Sequence, residues 1–143
     1  MTLPAITLIF AAAAVLVNFW LGMRCGQVRM AEKINHGDGG NTLLHRRMRA
    51  QLNFAENTPG ILILFAALEL CGANTTVLMV VAPLYIVARI CHGLGMDADS
   101  SKLRTIGVVV TMLVALGLAG YGVYLGYGLL NAGDMPAAMG AAV

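Results

Sequence analysis

Two stretches of this 143-residue chain gather side chains that could do chemistry. In RRMRAQLNFAENTPG, Arg46, Arg49, Asn53 and Glu56 follow one another at intervals of three, four and three, which on a helix puts all four on one face. In YIVARICHGLGM, Arg89, His92 and Met96 are separated by three and four, again one helical face. Arg104 follows after a polar break at 97–102. Seven arginines (Arg24, Arg29, Arg46, Arg47, Arg49, Arg89 and Arg104) crowd the same end of the molecule as two acidic partners at that depth. The surplus of guanidinium suggests an anionic ligand. The competing reading is structural: Arg49 and Glu56 pair with other helices, His92 is a satisfied core residue, and Arg104 is an anchor snorkelling to the interface. No Ser-His-Asp arrangement, paired-cysteine metal site, HExxH or phosphate loop is present, so no metal is expected. Cys25, Cys71 and Cys91 lack metal spacing and read as buried thiols.

The elements that position these residues must lie in lipid. Hydrophobic residues make up 59 % of the chain and charged residues 11 %, against about 25 % charged in soluble domains. Mean hydropathy is +0.79. A chain of this size cannot hide that much apolar surface from water, because small domains bury a smaller fraction of theirs. Disorder, a disulfide-stapled secreted module and an ordinary cytosolic enzyme are excluded. A net charge of +2 is too small to point to nucleic acid.

Residues 2–23 are an uncharged run of 22, about 33 Å of helix, enough to cross a hydrocarbon core of about 30 Å. The run is too long for a cleaved signal peptide and has no basic residue before it. Residues 105–133 form the last run, longer than one crossing needs. The third follows a Cys-Gly-Ala-Asn turn at 71–74. The second has only 12 uncharged residues between Glu56 and Glu69, so if it spans, Glu56 lies at the membrane edge and needs a partner within the protein. The spans expected are about 3–24, 43–71, 75–93 and 104–130, in a single domain of residues 1–143. Lys and Arg concentrate at 24–49 and 89–104, which puts both long connections in the cytoplasm and both termini outside. Trp20 and the trio Tyr121, Tyr124 and Tyr127 then fall in the two aromatic belts. Asn41 or Thr42 is the expected N-cap of the second helix. Gly122 and Gly126 form a GxxxG, Pro59 either bends its helix or is tolerated there, and residues 132–143 read as a loose tail.

Arg49-Ala50-x-x-Asn53-x-x-Glu56-x-x-Pro59, opening the second of four spans, resembles the MAPEG family, the membrane-associated proteins of eicosanoid and glutathione metabolism. Gln27-Val28-Arg29 after span one and Arg89-x-x-His92 closing span three resemble the corresponding stretches in prostaglandin-forming members. Arg104 sits where the family keeps its catalytic arginine, and Gly37 to Gly40 (GDGG) resembles small bacterial members. The resemblance implies an all-α membrane protein, a four-transmembrane-helix bundle assembled as a homotrimer in the bacterial inner membrane. It further implies a membrane-bound glutathione S-transferase with an accompanying glutathione peroxidase activity. Glutathione would be the co-substrate, held between subunits by Arg29, Arg49, Asn53, Glu56, Arg89 and His92, with Glu56 on its amino group and Arg104 stabilising its thiolate. A hydrophobic small molecule or lipid would be the second substrate. Two positions depart from the pattern: Asn57 and Met96 stand where relatives carry tyrosines that help hold glutathione. The alternative is a non-catalytic lipid- or fatty-acid-binding protein of the same fold. An ion-coupled transporter is a third reading, disfavoured because Glu56 and Glu69 fall toward the ends of their span.

Overall fold

The computed structural model describes residues 3–98 and 101–133. Of the expected loose tail, residues 134–143 lie outside the described residues. The chain folds into four helices: α1 (Ala5–Glu32), α2 (Thr42–Leu70), α3 (Thr75–Gly95) and α4 (Lys102–Gly133). Helices α1, α3 and α4 are long and apolar enough to cross a membrane. Helix α2 has the length, but Arg46, Arg47, Arg49 and Glu56 occupy its first half.

The helices outrun the spans expected from charge alone. Helix α1 continues past Arg24 to Glu32, because leaving the bilayer does not break a helix. It ends at Lys33, whose φ of 56° is left-handed. Asn41 caps α2 by accepting the Leu44 N–H at 2.9 Å, one of the two caps the sequence offered. The α2–α3 corner turns at Gly72, whose φ of +79° favours glycine. Asn74 then caps α3 by accepting from the Val77 N–H.

Helix α1 packs on α2 and α3, and α4 packs on α3 and α2. Phe10, Phe65, Leu78, Tyr85 and Leu118 fill the half of the bundle near the α2–α3 corner. Ala14, Leu21, Ala50 and Phe54 fill the middle, and Cys25, Val28 and Leu44 the other end. Large apolar side chains such as Leu8, Leu16, Leu113, Leu116 and Val123 point outward, the inverse of a soluble bundle.

Two contacts at the α2–α3 end were not expected. The Glu69 carboxylate accepts from the Ile6 N–H at 2.9 Å, the Thr7 N–H at 2.7 Å and the Thr7 hydroxyl at 2.6 Å. Helix α1 has no side-chain cap of its own, so Glu69 satisfies free N–H groups and places negative charge at the helix N-terminus. Tyr121, expected only as a belt residue, accepts the Asn74 N–H at 2.8 Å and ties α4 to the corner. Cys71, read from sequence as buried, is exposed at the end of α2 because the chain turns there.

The tight seam lies between α3 and α4, away from the GxxxG. A Cβ on Gly107 would stand 2.6 Å from the Ala88 carbonyl oxygen and 2.6 Å from the His92 nitrogen, and one on Gly95 would run into the Arg104 backbone. Gly126 has open space beside it, and Gly122 meets only the Leu64 side chain. Gly107→Ala is therefore expected to destabilise the bundle by about 2 kcal/mol through overpacking against backbone that cannot retreat. The check is a fall in melting temperature of the detergent-solubilised protein; an unchanged midpoint contradicts the seam.

Candidate functional site

The centre of the site is a buried guanidinium. Arg89 is 1 % exposed on α3, and its Nη2 donates to the Asn53 Oδ1 at 2.9 Å across the α2–α3 contact. Its guanidinium also lies 5.6 Å from the centroid of the Phe54 ring, within cation–π range. One turn along, His92 is buried at the Gly107 seam. Arg89 Nε and His92 Nδ1 are buried with no hydrogen-bond partner among the described residues. One turn the other way, the Tyr85 and Thr58 hydroxyls meet at 2.9 Å.

The expected stripe on α2 divides along its length. At about 100° per residue, positions seven apart nearly coincide and positions three apart swing by about 60°. Arg46 and Asn53 therefore form the inner edge and are half-buried, whereas Arg49 and Glu56 form the outer edge and are exposed. Neither Arg49 nor Glu56 makes a hydrogen bond or ion pair among the described residues. Arg49 faces, with Arg29, a groove of ≈ 680 Å³ between α1 and α2 that Met48 and Gln51 also line. Arg29 Nη2 contacts the Met48 sulfur at 3.3 Å, and its Nη1 is buried without a partner among the described residues. Arg104 is exposed in the first turn of α4.

Of the seven residues expected at the site, one chain thus brings together Asn53, Arg89 and His92. It sets Arg29 and Arg49 in a separate groove and leaves Glu56 and Arg104 on its outer surface.

Sequence reasoning missed the cluster that braces this end. Asp97, just beyond α3, accepts from Arg47 Nε at 3.0 Å and Nη2 at 2.9 Å, and from Arg24 Nη2 at 2.5 Å. Arg46 donates to the Asp97 carbonyl oxygen at 3.3 Å. Arg24, 7 % exposed, also donates to the Gly93 carbonyl at 2.7 Å, one of the last carbonyls that α3 cannot satisfy itself. Its guanidinium lies 4.8 Å from the Trp20 ring centroid. The signal in the sequence was the position of Asp97 immediately beyond span three, opposite the basic run. Burial pushes the Asp97 carboxyl up, but the hydrogen bonds and charges of Arg47 and Arg24 outweigh it and hold the group below its ordinary value.

The family model for the MAPEG family matches residues 7–124. The chain belongs to the MAPEG family. The matched segment contains α2, α3, the seven expected site residues and Asp97. No curated protein matches. MAPEG membership, which takes in glutathione transferases and related proteins, agrees with the three membrane-crossing helices and makes this an integral membrane protein.

In this MAPEG chain Asp97 links stability to pH. A carboxyl with a lowered folded pKa adds stability above its unfolded value, near 3.9, and loses it as pH falls through the folded value. Breaking a buried pair costs about 3–5 kcal/mol and an exposed one up to about 1. Asp97, with its side chain 35 % exposed, lies between, so Asp97→Asn is expected to cost about 2 kcal/mol at neutral pH. Melting curves of wild type and variant should converge as pH drops below about 4. Curves that stay equally separated at every pH contradict the assignment.

Proposed function

We propose that this MAPEG chain is a membrane-bound glutathione S-transferase with an accompanying glutathione peroxidase activity. It works as a homotrimer of four-span subunits in the bacterial inner membrane, with its basic connections cytoplasmic and both termini outside. The observation that carries the reading is the pair Arg49 and Glu56. One cation and one anion lie exposed on the outer edge of α2, where lipid would be a costly neighbour for either. A neighbouring subunit with a zwitterionic peptide between the two copies satisfies both charges. The separation of Arg29 and Arg49 from Asn53, Arg89 and His92 supports a site completed between subunits. Arg89 Nε and His92 Nδ1, buried without a hydrogen-bond partner among the described residues, are polar atoms that the lone subunit leaves unsatisfied.

In this reading Glu56 holds the amino group of glutathione, and Arg29, Arg49 and Arg89 hold its carboxylates. Arg104 faces the sulfur. A free thiol titrates near 8.5, and only the thiolate attacks. Lowering that value by about two units takes roughly 2.7 kcal/mol. One guanidinium about 4 Å away contributes up to about 4 kcal/mol at an effective dielectric near 20, before desolvation. One arginine is therefore enough, and it keeps its charge at any working pH. The thiolate then attacks an electrophilic carbon, forming the C–S bond as the leaving group departs, while the thiol proton has gone to water. Apolar grooves reach the bundle from the lipid side, such as one of ≈ 380 Å³ between α1 and α3 lined by Ile6, Phe10, Met79 and Pro83.

One observation favours a second reading, binding of a lipid or fatty acid without catalysis. Asn57 donates to the Asn53 carbonyl of its own helix at 2.8 Å, and Met96 ends α3, so neither position presents a phenol to a ligand.

Arg104→Ala decides between the two. The transferase reading expects kcat for conjugation of a chlorodinitrobenzene acceptor to fall by about 100-fold while glutathione affinity largely survives, as for loss of one charge-stabilising group. Unchanged kcat contradicts it. A wild-type protein that binds fatty acid and forms no conjugate supports the second reading.

A further inference from the structure

We infer that Asp97 is a positioning residue for Arg104: held by Arg24 and Arg47, it fixes the end of α3 and, through Gly95, the place of the first turn of α4 that carries Arg104. The inference rests on the transferase reading and specifies how that site is built. The Arg104 side chain makes no hydrogen bond among the described residues, so its place depends on where α4 begins. Three contacts set that start. Arg47 grips both Asp97 oxygens from α2, at 3.0 and 2.9 Å, a fork-on-carboxylate geometry that fixes direction as well as distance. Arg24 holds the same carboxylate and the Gly93 carbonyl from α1, at 2.5 and 2.7 Å. Two residues past Gly93, Gly95 lies so close to the Arg104 backbone that no Cβ would fit between them. The end of α3 is thereby clamped to α1 and α2 on one side and to the first turn of α4 on the other. Without Asp97 the two guanidiniums repel each other, and the end of α3 loses the carboxylate that joins it to both α1 and α2 among the described residues.

Positioning and plain electrostatics predict opposite signs. Removing the negative charge of Asp97 makes the surroundings more positive, which by Coulomb's law alone favours a thiolate and lowers the thiol's midpoint. Displacing Arg104 removes the cation that faces the sulfur and raises it. A merely structural role lowers the melting temperature and leaves the midpoint of the folded protein where it was.

The experiment is a pH titration of glutathione on the detergent-purified protein, followed by the ultraviolet absorbance of the thiolate, with affinity measured alongside. Asp97→Asn is expected to raise the thiol midpoint by about one pH unit, a tenfold fall in the ratio of thiolate to thiol at a given pH, with glutathione affinity changed less than about threefold. Asp97→Glu, which keeps the charge, should recover most of the loss. Arg47→Lys also leaves the net charge unchanged but gives up the two-point grip, and it should raise the midpoint as well, which keeps the test decisive if Asp97→Asn does not fold. A lowered midpoint in wild type that Asp97→Asn and Arg47→Lys share, or that Asp97→Asn lowers further, overturns the inference and leaves the transferase reading standing. A wild-type midpoint no lower than that of free glutathione overturns both.

Discussion

A guanidinium cannot lie bare at membrane depth, and the arrangement of this bundle follows from where each one finds company. The chain has nine Lys and Arg against seven Asp and Glu, too even a count to suggest any shortage. The shortage is local. Glu69 faces the N-terminus of α1 at the far end, and Asp38 of the α1–α2 loop is taken by His45 of α2. At the basic end Asp97 receives Arg24 and Arg47 together, and its carbonyl receives Arg46. Arg89 is left with a neutral amide and an aromatic face. Desolvating a charge on those terms is costly unless something anionic completes the shell. Arg29, Arg49 and Arg104 likewise meet no carboxylate within ion-pair distance among the described residues.

Helix α2 is the element that makes this workable. Its second half is apolar and packs Ile61, Phe65 and Leu68 into the core, while its first half is too charged to sit in lipid by itself. The 3.6-residue repeat then sorts the polar positions by depth. Asn53 turns inward to hold Arg89, while Arg49 and Glu56 stay at the outer edge. One helix thus provides a packed wall, a half-buried anchor for the Arg89 of α3 and an open pair of opposite charges. The α3–α4 seam at Gly95 and Gly107 adds the second requirement, that His92 and the start of α4 cannot drift apart without breaking backbone contact.

Much of the frame was legible in the sequence because it depends on local signals. The four helices, the Asn41 cap and the turn at 71–74 follow from residue type and hydropathy within a few positions, whereas the capping of α3 by Asn74 was seen only in the structure. The motif on α2 also carried the family. Features that depend on long-range geometry were not legible. Spacing put Arg46, Arg49, Asn53 and Glu56 on one face but could not say which edge of that face met α3. The choice of Asp97 as the partner of Arg24 and Arg47 joins residues far apart in the chain. The capping of α1 by Glu69 is of the same kind. The α4 seam falls on Gly107, within an undistinguished apolar run, because helix crossing depends on which glycine lies opposite a backbone and not on a GxxxG pattern.

The unpaired charges of α2, Arg49 and Glu56, form either a ligand site or part of a salt-bridge network between helices. Calorimetric titration of glutathione into the detergent-purified wild-type protein, with Arg49→Ala and Glu56→Gln beside it, tests that directly. A ligand site gives heat of binding in the wild type and loses it in both variants, with each variant still folded. No binding to a folded wild-type protein at millimolar glutathione, or binding that both substitutions leave intact, would contradict it.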